Sequence, residues 1–307
     1  MCTEGLQRPH PALDNPVIRG DPLEWKGHRF FGVIWWSSNL LLLASLLFMV
    51  YSIGWEFSVR SYLHGFSDAI VPATATPEQK VESILDWMRA GPPRTPASGP
   101  TGLAQRDPKT TLNYEQLLSV CGTATNAFLN LARSSGLQVR RLLLLTPQNK
   151  TKHVVAEVLL DDRWIIVDPT YRVIMRDAKG RLLTRSDLQN PATFSEATSK
   201  IEDYRAEYSY EKFVHVRLAA LPLQGFHLRR LLNSIYPRWD QAMDWSLLLE
   251  RESFMVLCLS LASTALLLIG RSVLGLYAAR KLGIRRVSLR QKAWRASSAL
   301  FSPPEIK

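Results

Sequence analysis

The chain has 307 residues, 46% of them hydrophobic, and carries a formal net charge of +11. The excess sits at one end: residues 56–252 hold 25 Lys/Arg against 22 Asp/Glu, whereas residues 271–307 hold nine against one. A basic cluster directly after an apolar run orients a membrane span and meets anionic headgroups, so it argues against nucleic acid as the partner and for a lipid bilayer.

In chain order, residues 1–29 read as a polar arm with four basic and four acidic side chains. Phe30 to Trp55 contains no charged residue, which is long enough to cross a bilayer and too long for a signal-peptide core. Trp35, Trp36, Tyr51 and Trp55 suit interfacial anchoring. Residues 56–75 read as a linker. Residues 90–110, rich in Pro, Gly and polar side chains, read as an irregular loop on the rim of a cleft.

From Cys121 the sequence predicts an amphipathic helix. Ala124, Ala127, Phe128, Leu131 and Ala132 recur at three- and four-residue spacing, Ser119 is placed to cap the start, and Gly136 to end it. Cys121 then lies in the first turn, where free N–H groups and the positive dipole end favour a thiolate and supply an oxyanion donor. "LQVRRLLLL" follows as a buried strand. "HVVAEVLL", the pair Asp161–Asp162 and "RWIIVD" then predict a hairpin. With a two-residue loop, Val155 pairs with Asp168, and His153 becomes its diagonal neighbour on one face. A lone cysteine is more often a buried apolar side chain, and a lone histidine a surface one. A thiol, an imidazole and a carboxylate in this order and context point instead to acyl transfer.

Val173 to Leu188 predicts a strand, a turn at Ala178–Gly180 and a second strand. "SEATSKIEDYRAEYSY" reads as a polar surface helix, and Leu228 to Phe254 as further helix carrying Trp239 and Trp245. His215 and His227 compete weakly for the role of base, because neither precedes an Asp-Pro strand. Phe254 to Gly270 is a second apolar run, which continues to Ala279 if Arg271 snorkels. Arg280, Lys281, Arg285, Arg286, Arg290, Lys292 and Arg295 follow it and predict cytoplasmic termini, with residues 56–252 outside the cytoplasm. Cys2, Cys121 and Cys258 then fall in three separate regions, which excludes a disulfide within the exported domain. Asn149-Lys150-Thr151 is a glycosylation sequon that matters only in a eukaryotic secretory pathway. No internal repeat, phosphate-binding glycine loop or metal-ligand cluster is legible, so neither cofactor nor metal is expected.

The residues around the thiol resemble the transglutaminase-like superfamily of papain-related proteins. The resemblance rests on a Cys opening a helix, "GLQVRR" after it, a His starting a strand, and the segment Trp164, Val167, Asp168, Pro169, Thr170, Tyr171. "TPEQKVESILDWM" resembles the helix that begins such a domain. The resemblance spans roughly residues 76–175 and implies Cys121 as nucleophile, His153 as general base and acid, and Asp168 as its orienter. Trp164, Pro169, Thr170 and Tyr171 support the motif. Val120 and Gly122 flank the Cys where the family often has Gly or Trp, and Tyr114 and Gln116 are candidates for a further oxyanion donor. Arylamine acetyltransferases carry an Arg-Gly-Gly stretch that this chain lacks, and papain-like proteases use Asn as third member at wider spacing.

The expected fold is α+β, a Cys-bearing helix packed on an antiparallel sheet over residues 76–190. A helical extension over 191–252 and a transmembrane helix at each end (30–55 and 253–279) complete it, with residues 280–307 a basic cytoplasmic tail. The expected setting is a bacterial inner membrane. The expected function is thiol-dependent acyl chemistry on a peptide or protein amide, by hydrolysis or by transfer to an amine. The alternative is a membrane-anchored binding or assembly component that uses the same cleft without turnover.

Overall fold

A computed structural model describes residues 29–91, 121–216, 228–237, 239 and 245–282. The chain divides into two units, residues 1–46 with 263–307, and residues 47–262. Helix α1 (Arg29–Ile70) and the last described helix run through both.

In the larger unit, α1 continues through the stretch expected to be a linker. Val59, Leu63, Phe66 and Ile70 recur at helical spacing and pack into the core, Leu63 fully buried. That apolar stripe is legible in the sequence, and the charged Glu56 and Arg60 merely bond one turn apart, at 2.8 Å. Helix α2 (Pro77–Arg89) starts at a capping box, Thr76 against Gln79, with Pro77 in the first turn, and buries Val81, Ile84, Leu85 and Met88. Helix α3 (Cys121–Ser134) buries the predicted stripe of Ala124, Ala127, Phe128, Leu131 and Ala132. It stops where Gly136 takes the left-handed conformation, φ +84°.

Strands β1 (Val139–Leu145), β2 (Thr151–Leu160), β3 (Arg163–Asp168), β4 (Val173–Ile174) and β5 (Phe213–Val214) form an antiparallel sheet in the order β4-β3-β2-β1-β5. Its two faces bury separate clusters. Ala156, Val158, Ile165 and Val167 face α1, α2 and α3, while Leu142, Leu144, Val155 and Ile166 face the other way. On that second side lie α4 (Arg185–Leu188), α5 (Pro191–Thr198) and three tyrosines, Tyr204, Tyr208 and Tyr210.

Two expectations are corrected here. The polar segment after residue 190 is helical only over Pro191–Thr198; residues 199–210 run as turns, because Tyr204, Tyr208 and Tyr210 are drawn onto the sheet. Since β5 pairs with β1, the domain extends past residue 190 to at least Val214. Beyond it lie α6 (Leu228–Ile235), α7 (Trp245–Glu250) and α8 (Glu252–Lys281). Glu56 on α1 is buried against Arg251, 3.2 Å, and Ser253, 2.7 Å.

In the smaller unit, Ser45 and Thr264 hydroxyls lie 2.7 Å apart, and Arg271 Nε donates to Asn39 Oδ1 at 2.7 Å. Arg271 thus finds a polar partner on α1. Two helices, Phe30–Ile70 and Glu252–Lys281, are long and apolar enough to cross a membrane.

Asp161 and Asp162 both take positive φ, 45° and 60°, in the two-residue turn that sets Leu160 opposite Arg163. A β-branched residue tolerates this poorly. Asp162→Val is expected to lower stability by about 1–2 kcal/mol, while Asp162→Gly preserves or raises it. Melting temperatures of the purified variants check this; equal values for both would mean the turn does not constrain the hairpin.

Candidate active site

The hairpin register carries the site. Leu160 opposes Arg163 and Ala156 opposes Val167, which puts Val155 level with Asp168 and His153 on the same face. His153 Nε2 and Asp168 Oδ2 lie 2.7 Å apart, both side chains buried, at 1% and 0% exposure. The other carboxylate oxygen, Oδ1, accepts from the backbone N–H of Thr170 at 3.0 Å and of Tyr171 at 3.4 Å. That loop over Pro169 gives the Asp-Pro-Thr-Tyr segment its physical sense, since the backbone turns around the carboxylate and fixes its plane. One residue before His153 the β1–β2 register shifts, with Leu144 facing His153 and Leu145 facing Thr151, so Lys152 is the extra residue of a bulge. Bulges sharpen twist and re-aim the neighbouring side chain.

Cys121 opens α3, and the helix is pinned to the His153 strand one turn on, where Thr125 Oγ1 donates to the Val154 carbonyl at 3.0 Å. With Nε2 committed to the carboxylate, His153 Nδ1 is buried without a hydrogen-bond partner and is the ring nitrogen free for proton exchange. Cys121 and His153 are near enough for each to shift the other's protonation. Ser119, Tyr114 and Gln116 lie outside the described residues.

The Arg140–Arg141 pair alternates across the sheet. Arg141 points to the helix side, where a Cβ added at Gly122 would meet its Nη2 at 3.4 Å. Arg140 points to the other side, bonds Glu157 at 2.5 Å and lies over the Trp164 ring, 3.9 Å from its centroid. Trp164 therefore acts in support of the sheet. His215 bonds Glu157 at 2.9 Å and takes no part in the Cys121 cluster; His227 is outside the described residues. Among the described residues no three His, Cys, Asp or Glu side chains gather so as to hold a metal.

The family model of the transglutaminase-like superfamily matches residues 65–169. That span holds Cys121, His153 and Asp168 and ends one residue past the carboxylate. No curated protein and no solved structure matches the chain. The transglutaminase-like match leaves out the tyrosine-rich strap, residues 199–210, which closes over His153. Tyr208 stacks on the imidazole with ring centroids 4.1 Å apart and planes 3° apart. Tyr171 and Tyr204 meet it edge-on, at 6.1 and 6.5 Å.

Charge is tuned across the pair. Burial works to raise the Cys121 thiol pKa, but the His153 hydrogen bond and charge, the Val154 backbone and the Arg141 guanidinium bring it below the ordinary value. Burial pulls His153 down, while the Asp168 charge and hydrogen bond, then Cys121, push it up to about 9. The two shifts favour a thiolate–imidazolium pair between them. Tyr208 is raised to about 12, first by burial, so it stays neutral throughout.

Alkylation of Cys121 by iodoacetamide is therefore expected to titrate below the ordinary thiol range, and His153→Ala should move its midpoint upward. Because the folded His153 pKa lies above the unfolded one, the site's contribution to stability is full below about pH 6.5 and is lost as pH rises through about 9. Melting temperatures of the parent and of His153→Gln against pH check the sign; a difference between them that grows above pH 9 would contradict it.

Proposed function

We propose that the chain is a membrane-anchored, thiol-dependent acyl-transfer enzyme acting on amide bonds, with Cys121 as nucleophile, His153 as general base and acid, and Asp168 as its orienter. The observation that carries this reading is the buried His153–Asp168 bond beside a thiol at a helix N-terminus. In the first half-reaction the Cys121 thiolate adds to the amide carbonyl carbon. Negative charge collects on the carbonyl oxygen, where the N–H groups at the start of α3 are the available donors. The C–N bond then breaks, and His153 gives its proton to the leaving amine. In the second half His153 takes a proton from water or an incoming amine, which attacks the thioester and releases Cys121. Asp168 keeps Nε2 protonated throughout, so Nδ1 remains the nitrogen that exchanges the proton with sulfur and substrate.

The substrate class is a peptide or protein amide. The two long apolar helices and the basic tail support a two-span anchor with cytoplasmic termini and residues between the spans outside the cytoplasm, the tail meeting anionic lipid. The setting suits a bacterial inner membrane.

Cys121→Ala is expected to abolish labelling by an acyl-directed activity probe while the fold survives, and Asp168→Asn to cut the labelling rate by about 10³–10⁴-fold. Persistent labelling of Cys121→Ala would exclude this thiol as the nucleophile. Full-rate labelling of Asp168→Asn would remove the orienting role and favour a binding component in place of an enzyme. Reporter fusions near residue 110 should be active only outside the cytoplasm; activity only inside reverses the topology.

A further inference from the structure

The stretch from Tyr204 to Tyr210 is the part of the site that lies beyond the family match and that the proton-transfer scheme does not use. It is irregular yet firmly held. Tyr171 Oη donates to the Asp203 carbonyl at 3.1 Å, Gln189 Nε2 donates to the Tyr210 carbonyl at 3.3 Å, and Lys152 pairs with Glu207 at 3.6 Å, beside His153 and Tyr208 respectively. The Tyr208 N–H closes a turn onto the Arg205 carbonyl at 3.0 Å. Fixed in this way, the Tyr208 ring lies flat over the imidazole, 4.1 Å between centroids, and is itself only 6% exposed.

Neutral aromatic rings disfavour only a fully overlapped sandwich and prefer offset-parallel or edge-on contacts. A cation over an aromatic face is attracted instead, most strongly where water is excluded. The parallel stack, 4.1 Å between centroids with His153 1% exposed, is open to either form of the ring, and only the imidazolium adds a cation–π attraction in this water-excluded place. It also blocks rotation out of the plane in which Nε2 meets Asp168.

We propose that Tyr208 is a positioning residue, whose ring face holds His153 in plane and favours its protonated form, so that Cys121 rests as a thiolate. The inference rests on the acyl-transfer reading of the same site. Among the described residues, the titratable groups that face the imidazole are Cys121 from α3, Asp168 from β3, Tyr171 from the turn after it, and Tyr204 and Tyr208 from the strap, with Lys152 and Glu207 paired at the rim. Of these, only Tyr208 presents a flat ring face to the imidazole.

The test is the pH profile of Cys121 alkylation by iodoacetamide in the full-length protein, for the parent, Tyr208→Phe, Tyr208→Leu and Tyr208→Met. The ring face survives in the Phe variant, which should keep the parent midpoint. The Leu and Met variants lose it, and their midpoints should move up by about one pH unit, with alkylation at a fixed mildly acidic pH falling about ten-fold. Circular dichroism identifies any variant that fails to fold, and the Met variant stands in if Leu does. A folded Leu or Met variant with the parent midpoint overturns the proposal, as does a folded Phe variant shifted as far as Leu, since the hydroxyl would then be the active part. A parent midpoint in the ordinary thiol range would instead overturn the acyl-transfer reading itself, which keeps the two failures distinct.

Discussion

The buried bond between His153 and Asp168 is the constraint on which the rest of the site depends. A 2.7 Å contact between an imidazole and a carboxylate, both cut off from water, is stable only if every remaining polar atom of the pair has a use. Asp168 Oδ1 is satisfied by the backbone of Thr170 and Tyr171, and the outer faces of the imidazole are closed by tyrosine rings. One position is left, Nδ1, which has no hydrogen-bond partner, and Cys121 is near enough to the ring to interact with it. The same low dielectric that makes an unpaired charge expensive strengthens the interactions among Cys121, His153 and Asp168. The chemical poise of the thiol is therefore set by groups from both faces of the sheet. Arg141 and the start of α3 act from one side, Asp168 and the strap from the other.

A second buried charge lies four residues along the same strand face. Glu157 is held below the ordinary carboxylate range; burial alone would raise it, but His215 and Arg140 reverse that. Its neighbours also serve packing, since Arg140 lies on Trp164 and Arg185 on Phe213. This cluster joins β1, β2 and the segment after β5 without touching the thiol. The two buried histidines bonded to carboxylates differ in their surroundings. Nδ1 of each lacks a hydrogen-bond partner, but His153 has Cys121 near enough to shift its protonation, whereas His215 lies against Glu157 away from the thiol.

Much of the candidate site is legible in the chain because its elements are local and periodic. The stripe on α3, the two-residue turn and the period-two alternation of the hairpin are enough to bring His153 and Asp168 to one face. Each of those contacts follows from a short-range rule. Thr125, Arg141 and Tyr208 were not singled out, since their partners lie across helix–strand or strap–strand contacts that no local pattern encodes. Some signals were present but unread. A Glu at position 157 inside the apolar run "HVVAEVLL" demands buried partners, and three tyrosines within residues 204–210 are poorly suited to a solvated helix. The extension of α1 through Val59, Leu63, Phe66 and Ile70 is equally legible as a helical stripe, in spite of the charges at Glu56 and Arg60.

The protonation state of His153 carries the account. Solid-state ¹⁵N NMR of histidine-labelled full-length protein in lipid, with His153→Gln to assign the resonance, measures it directly. The structure predicts that both ring nitrogens of His153 bear protons at pH 7, and that the ring loses one only as pH rises through about 9. A neutral His153 ring at pH 7, with one nitrogen unprotonated while Cys121 is intact and reduced, would contradict the thiolate–imidazolium pair.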